Sequence, residues 1–221
     1  MTAAYSNHWA MEPRHSIANE DPGILADIYR DDCNVVTWRR KLSPELRLEV
    51  AAFLQTHKSF QTSMSLSPES AQSSIHRALG GNESLSSLSA DIAELVDMFC
   101  WLFEVERVGL RMTALEQPMC PRFHVDHVPC RLITTYQGPA TEWLPHNCVA
   151  RSKLGSGSGG MPDESSGLFQ NPGDIQRAHA GDVLLLKGER WEGNEGAGLV
   201  HRSPSIPAGD RRLLLTLDLL L

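Results

Sequence analysis

Cys120-Pro121-Arg122-Phe123-His124-Val125-Asp126-His127-Val128-Pro129-Cys130-Arg131-Leu132-Ile133-Thr134-Thr135-Tyr136-Gln137 is the stretch from which the fold is read. Its second half is rich in leucine, isoleucine, threonine and tyrosine, residue types that suit a pleated, half-buried surface. Its first half predicts a further short strand near 122–127. Successive side chains on a strand alternate faces, so residues two apart point the same way. His124 and Asp126 would then present an imidazole and a carboxylate to one point. Alone the pattern is weak: nine histidines and twelve aspartates in 221 residues give about half a His-x-Asp by chance. Its surroundings raise it.

Downstream of Glu104 the segments are short, rich in Val, Leu, Ile and Thr, and punctuated by Gly, Pro and Asp. Besides 122–127 and 130–137, strands are predicted near 106–115, 174–178, 182–187, 198–202 and 211–219, a spacing that suits a sandwich or barrel rather than a βαβ sheet. Gly181-Asp182 leads the apolar run Val183-Leu184-Leu185-Leu186, and Leu199-Val200-His201 precedes Gly209-Asp210-Arg211-Arg212 and the last apolar run, Leu213 to Leu217. Residues 151–173, containing Gly155-Ser156-Gly157-Ser158-Gly159-Gly160, read as a flexible loop, either a lid or a tolerated insertion. Upstream, the signals from 21 to 104 are mainly helical. Ser43-Pro44-Glu45 and Ser67-Pro68-Glu69 each set a cap residue, a first-turn proline and an early acid. Gly80-Gly81 closes the second helix. Ile92, Leu95, Val96, Phe99 and Leu102 form one stripe of a third, starting near Ser89. Asn34 to Trp38 suits a short strand, and residues 1–20 read as a loose arm. The expected class is therefore α+β: a jelly-roll, cupin-like barrel over 105–221, with the 21–104 region packed on its outside.

Composition narrows the function. The chain is 41% hydrophobic and 21% charged, which is ordinary for a globular protein, and its formal net charge is −7. That balance argues against nucleic acid as a partner. No apolar run approaches the roughly 20 residues that span a bilayer, and Met1 to Asn19 lack the apolar core of a signal peptide, so the cytoplasm is the expected compartment. Cys33, Cys100, Cys120, Cys130 and Cys148 are odd in number with no C-x-x-C pair, so disulfides and a self-contained zinc finger are not expected. Cys120, Cys130, His127 and His146 lie near the His-x-Asp motif, but their spacing matches no zinc pattern. Nucleophile-elbow, Walker and dinucleotide glycine motifs are missing.

The order His124-x-Asp126, a β-rich stretch, a distal His201, then Gly209-x-Arg211 and a final apolar strand resembles the iron(II)- and 2-oxoglutarate-dependent dioxygenases over roughly residues 120–218. The resemblance implies a double-stranded β-helix (jelly roll). It also implies that His124, Asp126 and His201 hold Fe(II) through a 2-His-1-carboxylate set, leaving positions for 2-oxoglutarate and oxygen. An arginine about ten residues beyond the distal histidine would grip the far carboxylate of 2-oxoglutarate bidentately. Arg211 fits that role best, and Arg212 takes it if the strand register is shifted by one. Glu142 and Trp143, after a Gly-Pro turn, and Tyr136 are the candidate lining residues.

A second resemblance covers most of the chain. Residues 120–126, 134–144, Leu186-Lys187-Gly188-Glu189 and His201-Arg202-Ser203-Pro204 are similar to an uncharacterised bacterial domain-of-unknown-function family. Its genes often neighbour zinc-homeostasis genes, which implies a metal connection without a reaction. Three functions follow: an oxygenase acting on a small molecule or side chain, a non-redox zinc-binding protein using the same triad, or a cupin-like small-molecule binding module.

Overall fold

The computed structural model describes residues 13–220. Its strands are β1 (His15–Asn19), β2 (Cys33–Trp38), β3 (Gln61–Leu66), β4 (Val108–Leu115), β5 (Cys130–Gln137), β6 (Glu142–Leu144), β7 (Gln176–Arg177), β8 (Val183–Lys187), β9 (Val200–Arg202) and β10 (Arg212–Leu219). The α-helices are α1 (Pro44–Thr56), α2 (Pro68–Ala78) and α3 (Ser86–Phe103). Seven strands form one sheet in the order β1-β2-β8-β5-β10-β4-β3, antiparallel except for the β1–β2 pair, and β7-β6-β9 form a second. The class is α+β, with a large, mostly antiparallel sheet.

The helices start where cap chemistry places them. The Ser43 hydroxyl accepts from the Leu46 N–H at 3.1 Å, and Pro44 fills the first turn, where its missing N–H costs nothing. Leu46, Val50, Phe53 and Leu54 then share one buried face. In α3 the buried stripe is Ile92, Leu95, Val96 and Phe99. These faces pack on one side of the large sheet, against Val108, Leu110 and Met112 of β4, Leu132 of β5, Leu185 of β8, and Leu213, Leu215 and Leu217 of β10.

The opposite side of the same strands faces the small sheet. Val35, Ile133, Leu184, Leu186 and Leu214 meet Trp143 of β6 in a second core. Strand β10 is thus apolar on both faces because both are covered, which is why its residues read as a continuous apolar run. Its inward set, Arg212, Leu214 and Thr216, alternates with the helix-facing leucines.

Several expectations are corrected. The segment expected as a strand at 122–127 makes only an isolated bridge, His124 to His201, because the Phe123 N–H is taken by the Asp163 carboxylate and the Asp126 carbonyl by the Glu189 N–H. In the arm, residues 1–12 lie outside the described residues, while 15–19 form β1 against β2. The 21–104 region does not merely sit outside the sheet: β2 pairs with β8, and β3 with β4, so it supplies strands on both flanks. β1 and β3 escape a hydrophobic-pattern reading because both are short, mostly solvent-facing edge strands. The 151–173 stretch is packed rather than loose. Leu168 and Phe169 bury against Phe123, Leu144 and Val200 on the outer side of the small sheet. The Asp163 carboxylate, 4% exposed, accepts from the Phe123 N–H and Arg122 Nε, both at 2.7 Å.

Candidate metal centre

His124 and His201 are joined through their backbones, each N–H donating to the other's carbonyl at 3.0 Å. That pair of hydrogen bonds sets the imidazoles side by side, ring centres 4.6 Å apart. Each Nδ1–H then donates to a carbonyl two residues back, Arg122 at 2.9 Å and Leu199 at 3.1 Å. Those bonds fix the tautomer and leave both Nε2 lone pairs free. Both Nε2 atoms meet the Asp126 carboxylate: His124 Nε2 lies 3.7 Å from Oδ1 and His201 Nε2 3.5 Å from Oδ2. One ligand atom from each of the three residues falls within 4.8 Å of the others. Two ligands at about 2.2 Å from one ion stand at most about 4.4 Å apart, so small side-chain rotations bring the set to coordination distance.

The surroundings prepare these groups for a cation. His201 is buried, and desolvation lowers its pKa to about 4 against the opposing pull of Asp126, so the imidazole stays neutral at physiological pH. Asp126 is held by Arg131, whose Nη1 donates to Oδ2 at 2.7 Å, while Arg131 Nε and Nη2 fork onto Asp218 at 2.6 and 3.0 Å. The loop carrying Asp126 is clamped to the end of β8. Its carbonyl accepts from the Glu189 N–H at 2.9 Å, and the Gly188 N–H donates to Pro129 at 2.9 Å. Gly188 is required here, because a Cβ would lie 2.1 Å from the Val128 carbonyl oxygen and 2.6 Å from that of Asp126.

The triad opens on a narrow cavity whose walls include Arg111, Thr113, Arg131, Thr141, Arg212 and Thr216. Arg212 is 1% exposed. Its guanidinium donates to the Thr135 hydroxyl from Nε (3.3 Å) and Nη2 (3.1 Å), and to the Thr141 hydroxyl from Nη2 (3.1 Å), while Nη1 has no partner. No carboxylate compensates it, and burial lowers its pKa to about 10.

Arg211, the expected anion-binding residue, points the other way. It donates to the backbone carbonyls of Leu54, His57 and Lys58, at the end of α1. The register is one residue from the expected one, since β10 begins at Arg212. The turn after β5 packs on this start through Gly138, at φ +89°, where a Cβ would meet the Arg211 carbonyl oxygen at 2.5 Å. The expected lining residues also lie elsewhere. Glu142 is ion-paired to Arg177 and Arg202 at 2.8 Å each. Trp143 packs in the core between the sheets. Tyr136 faces the helices and donates to Asp91 at 2.6 Å. Of the cysteines, Cys120 is exposed and lines the cavity, while Cys130 is fully buried on the helix side. Arg131, Thr135, Thr141, Gly138 and Gly188 escape a motif reading, because their roles arise from pairing between strands distant in sequence. For Arg131 one signal exists: antiparallel strands with apolar outer faces put it opposite Asp218 on the inner face.

A protein-family model of a domain of unknown function, DUF1826, matches residues 19–218. The chain belongs to the DUF1826 family. No curated protein matches it. Among solved structures, the chain is similar to the dioxygenase for auxin oxidation from rice (14% identity, 94% of this chain and 83% of that one covered, TM-score 0.50). It is also similar to its Arabidopsis thaliana counterpart, solved with 2-oxoglutarate (10% identity, 94% and 92% covered, TM-score 0.53). At these identities the likeness is one of fold: this DUF1826 chain shares the architecture of 2-oxoglutarate dioxygenases. No described helix is long and apolar enough to cross a membrane.

Proposed function

We propose that this DUF1826 protein is a mononuclear iron(II)/2-oxoglutarate-dependent oxygenase on a double-stranded β-helix, with His124, Asp126 and His201 as metal ligands. Arg212, rather than Arg211, would anchor the far carboxylate of 2-oxoglutarate. The observation that carries the reading is the buried Arg212 guanidinium, among the described residues without a counter-ion and with Nη1 unpaired, in the same cavity as His124 and His201 of the His/Asp/His set. A buried charge without a partner is expensive. The planar far carboxylate of 2-oxoglutarate would supply a counter-ion and an acceptor for Nη1 at once.

Both groups fit the residues present. Two imidazoles and a carboxylate suit a divalent first-row metal with further positions open, and bound iron would supply oxidation of a C–H bond with dioxygen as the oxidant and the keto acid, decarboxylated to its acid, as the co-reductant. The chain's own residues do the rest. Arg131 keeps the Asp126 carboxylate turned to the histidines, and the two Nδ1 hydrogen bonds hold the imidazole tautomers. Thr135 and Thr141 orient the Arg212 fork toward the cavity. Val35, Ile133, Leu184 and Leu214, packed between the sheets, help keep water from this wall. The substrate is a small molecule or a side chain reaching the cavity.

The test is anaerobic titration of purified protein with Fe(II) and 2-oxoglutarate, reading the visible charge-transfer absorption of a chelated keto acid. A band is expected in the wild type and in Arg211→Ala. In Arg212→Ala, 2-oxoglutarate affinity should fall by at least about thirtyfold, the equivalent of about 2 kcal/mol for a lost charge-assisted pair. Metal affinity should stay within about twofold. A wild type that binds zinc or iron but gives no band and no calorimetric signal with 2-oxoglutarate would overturn the oxygenase reading and leave the zinc-binding one.

A further inference from the structure

The small sheet covers only part of the inner face of the large one. Its core contacts reach β2, β8, β5 and β10, and on β4 only Leu115 at the strand's end. Beyond β10 the inward positions are Arg111 and Thr113 on β4, then Gln61, Ser63 and Ser65 on edge strand β3. All three β3 residues are exposed, whereas the alternate residues of both strands turn to the helices. The cavity therefore opens sideways onto a polar shelf.

On this shelf Arg111 lies directly across from Thr216, which lines the cavity with His124 and His201. Among the described residues the Arg111 side chain makes no ion pair or hydrogen bond. Two residues along the same face, the buried Thr113 hydroxyl also has no partner. The other cavity charges are balanced. Arg131 is matched by Asp218, and Arg202 by Glu142 and Glu164, the former shared with Arg177. On the proposed function, a divalent ion with Asp126, and Arg212 with doubly charged 2-oxoglutarate, complete a sum of zero. Of the cavity's charges one positive charge is left over, at Arg111, an exposed residue of the cavity wall, while Arg107 at the far end of the shelf donates to Ser65.

We infer that the co-oxidised substrate is a small organic acid, seated on the β3–β4 shelf with its carboxylate on Arg111. The inference rests on the proposed function, since it takes the cavity beside His124 and His201 to be the reaction site. The geometry adds a constraint. Arg111 and Arg212 are on neighbouring strands of one face, offset so that Thr216, not Arg212, stands across from Arg111. The site then holds two anions side by side, each on its own guanidinium, and the substrate's reacting carbon lies on the metal side of its carboxylate.

The test uses protein loaded anaerobically with Fe(II) and saturating 2-oxoglutarate, and two pairs of probes matched in shape: butyrate with butyramide, and benzoate with benzamide. Binding is read as a shift of the charge-transfer band and as heat in calorimetry. At least one carboxylate should bind at least tenfold more tightly than its amide. Arg111→Ala should erase that preference, and Arg111→Lys should restore part of it, with 2-oxoglutarate affinity unchanged in both variants. Equal binding of acid and amide, no binding of any probe, loss of the band through displacement of 2-oxoglutarate, or an unchanged preference in Arg111→Ala would each overturn the inference. Absence of the band before any probe is added would instead strike the proposed function itself.

Discussion

Arg131 joins Asp126 to Asp218, and the chemistry of the centre turns on that contact. A carboxylate between two imidazoles can rotate away from both unless something holds its other lone pairs, and the guanidinium fork supplies a rigid anchor. Arg131→Gln should therefore weaken metal binding by about 10–100-fold, the range typical of lost outer-sphere partners, as read by competition with a chromophoric chelator. Unchanged affinity would show that Asp126 needs no anchor. Arg212 invites a complementary measurement. Lowering an arginine from its usual value to about 10 corresponds to a burial cost on the order of 3 kcal/mol. An anion that relieves it should raise the melting temperature of metal-loaded protein, and Arg212→Ala should abolish that rise. At this scale His124, Asp126 and His201 were legible in the sequence, because a two-residue spacing and a distal histidine are local patterns. The choice between Arg211 and Arg212 was not, since it depends on where β10 begins, and that is set by the Gly138 turn packed against it.

At the scale of elements, the site is assembled by clamps rather than by a regular strand. His124 and Asp126 belong to a two-proline segment tied down at one end by the bridge to β9 and at the other by Gly188. Gly188→Ala should push the Asp126 backbone out of place, since its Cβ would overlap two carbonyl oxygens. The expected outcome is a loss of metal binding with the far-ultraviolet circular dichroism retained. Retained metal affinity would contradict the clamp. Strand β10 makes a different prediction. Leu215 is fully buried among the helices, so Leu215→Ala should cost about 2–5 kcal/mol in urea unfolding through lost burial and a residual cavity. A change below about 1 kcal/mol would be inconsistent with that packing. The apolar strands β8 and β10 and the three helices could be read from periodicity and caps. Edge strands β1 and β3 could not, because most of their residues face solvent and neither carries a continuous apolar run.

For the whole molecule, pH couples stability to the centre. His201 titrates near 4 in the fold and near its ordinary value of about 6.5 when unfolded. Between those values the unfolded chain binds more protons, so stability is fully present above about 6.5 and is lost as pH falls toward 4. Metal-free protein should unfold at lower urea at pH 4.5 than at pH 7, and His201→Gln should flatten that difference. An equal decline in the variant would assign it to other groups. The same scale decides what can be cut away. β2 and β3 lie in the large sheet, and the helices cover its outer face, so a fragment of residues 105–221 should show no cooperative unfolding. A sharp transition in that fragment would separate the two regions.

The sheet order carries a consequence for how the protein is made. Among the described residues β10 is the last strand in sequence, yet it lies between β5 and β4 and is the one strand that links β1-β2-β8-β5 on one side to β4-β3 on the other. While the chain is being synthesised, these two groups of strands have no strand to pair them until residues 212–219 emerge. Both inner edges stay open for that time, and such edges are prone to mispairing. The strand that closes the gap also carries Arg212. A nascent chain thus gains its completed sheet and its buried Arg212 guanidinium in the same step, and an incompletely folded one lacks both.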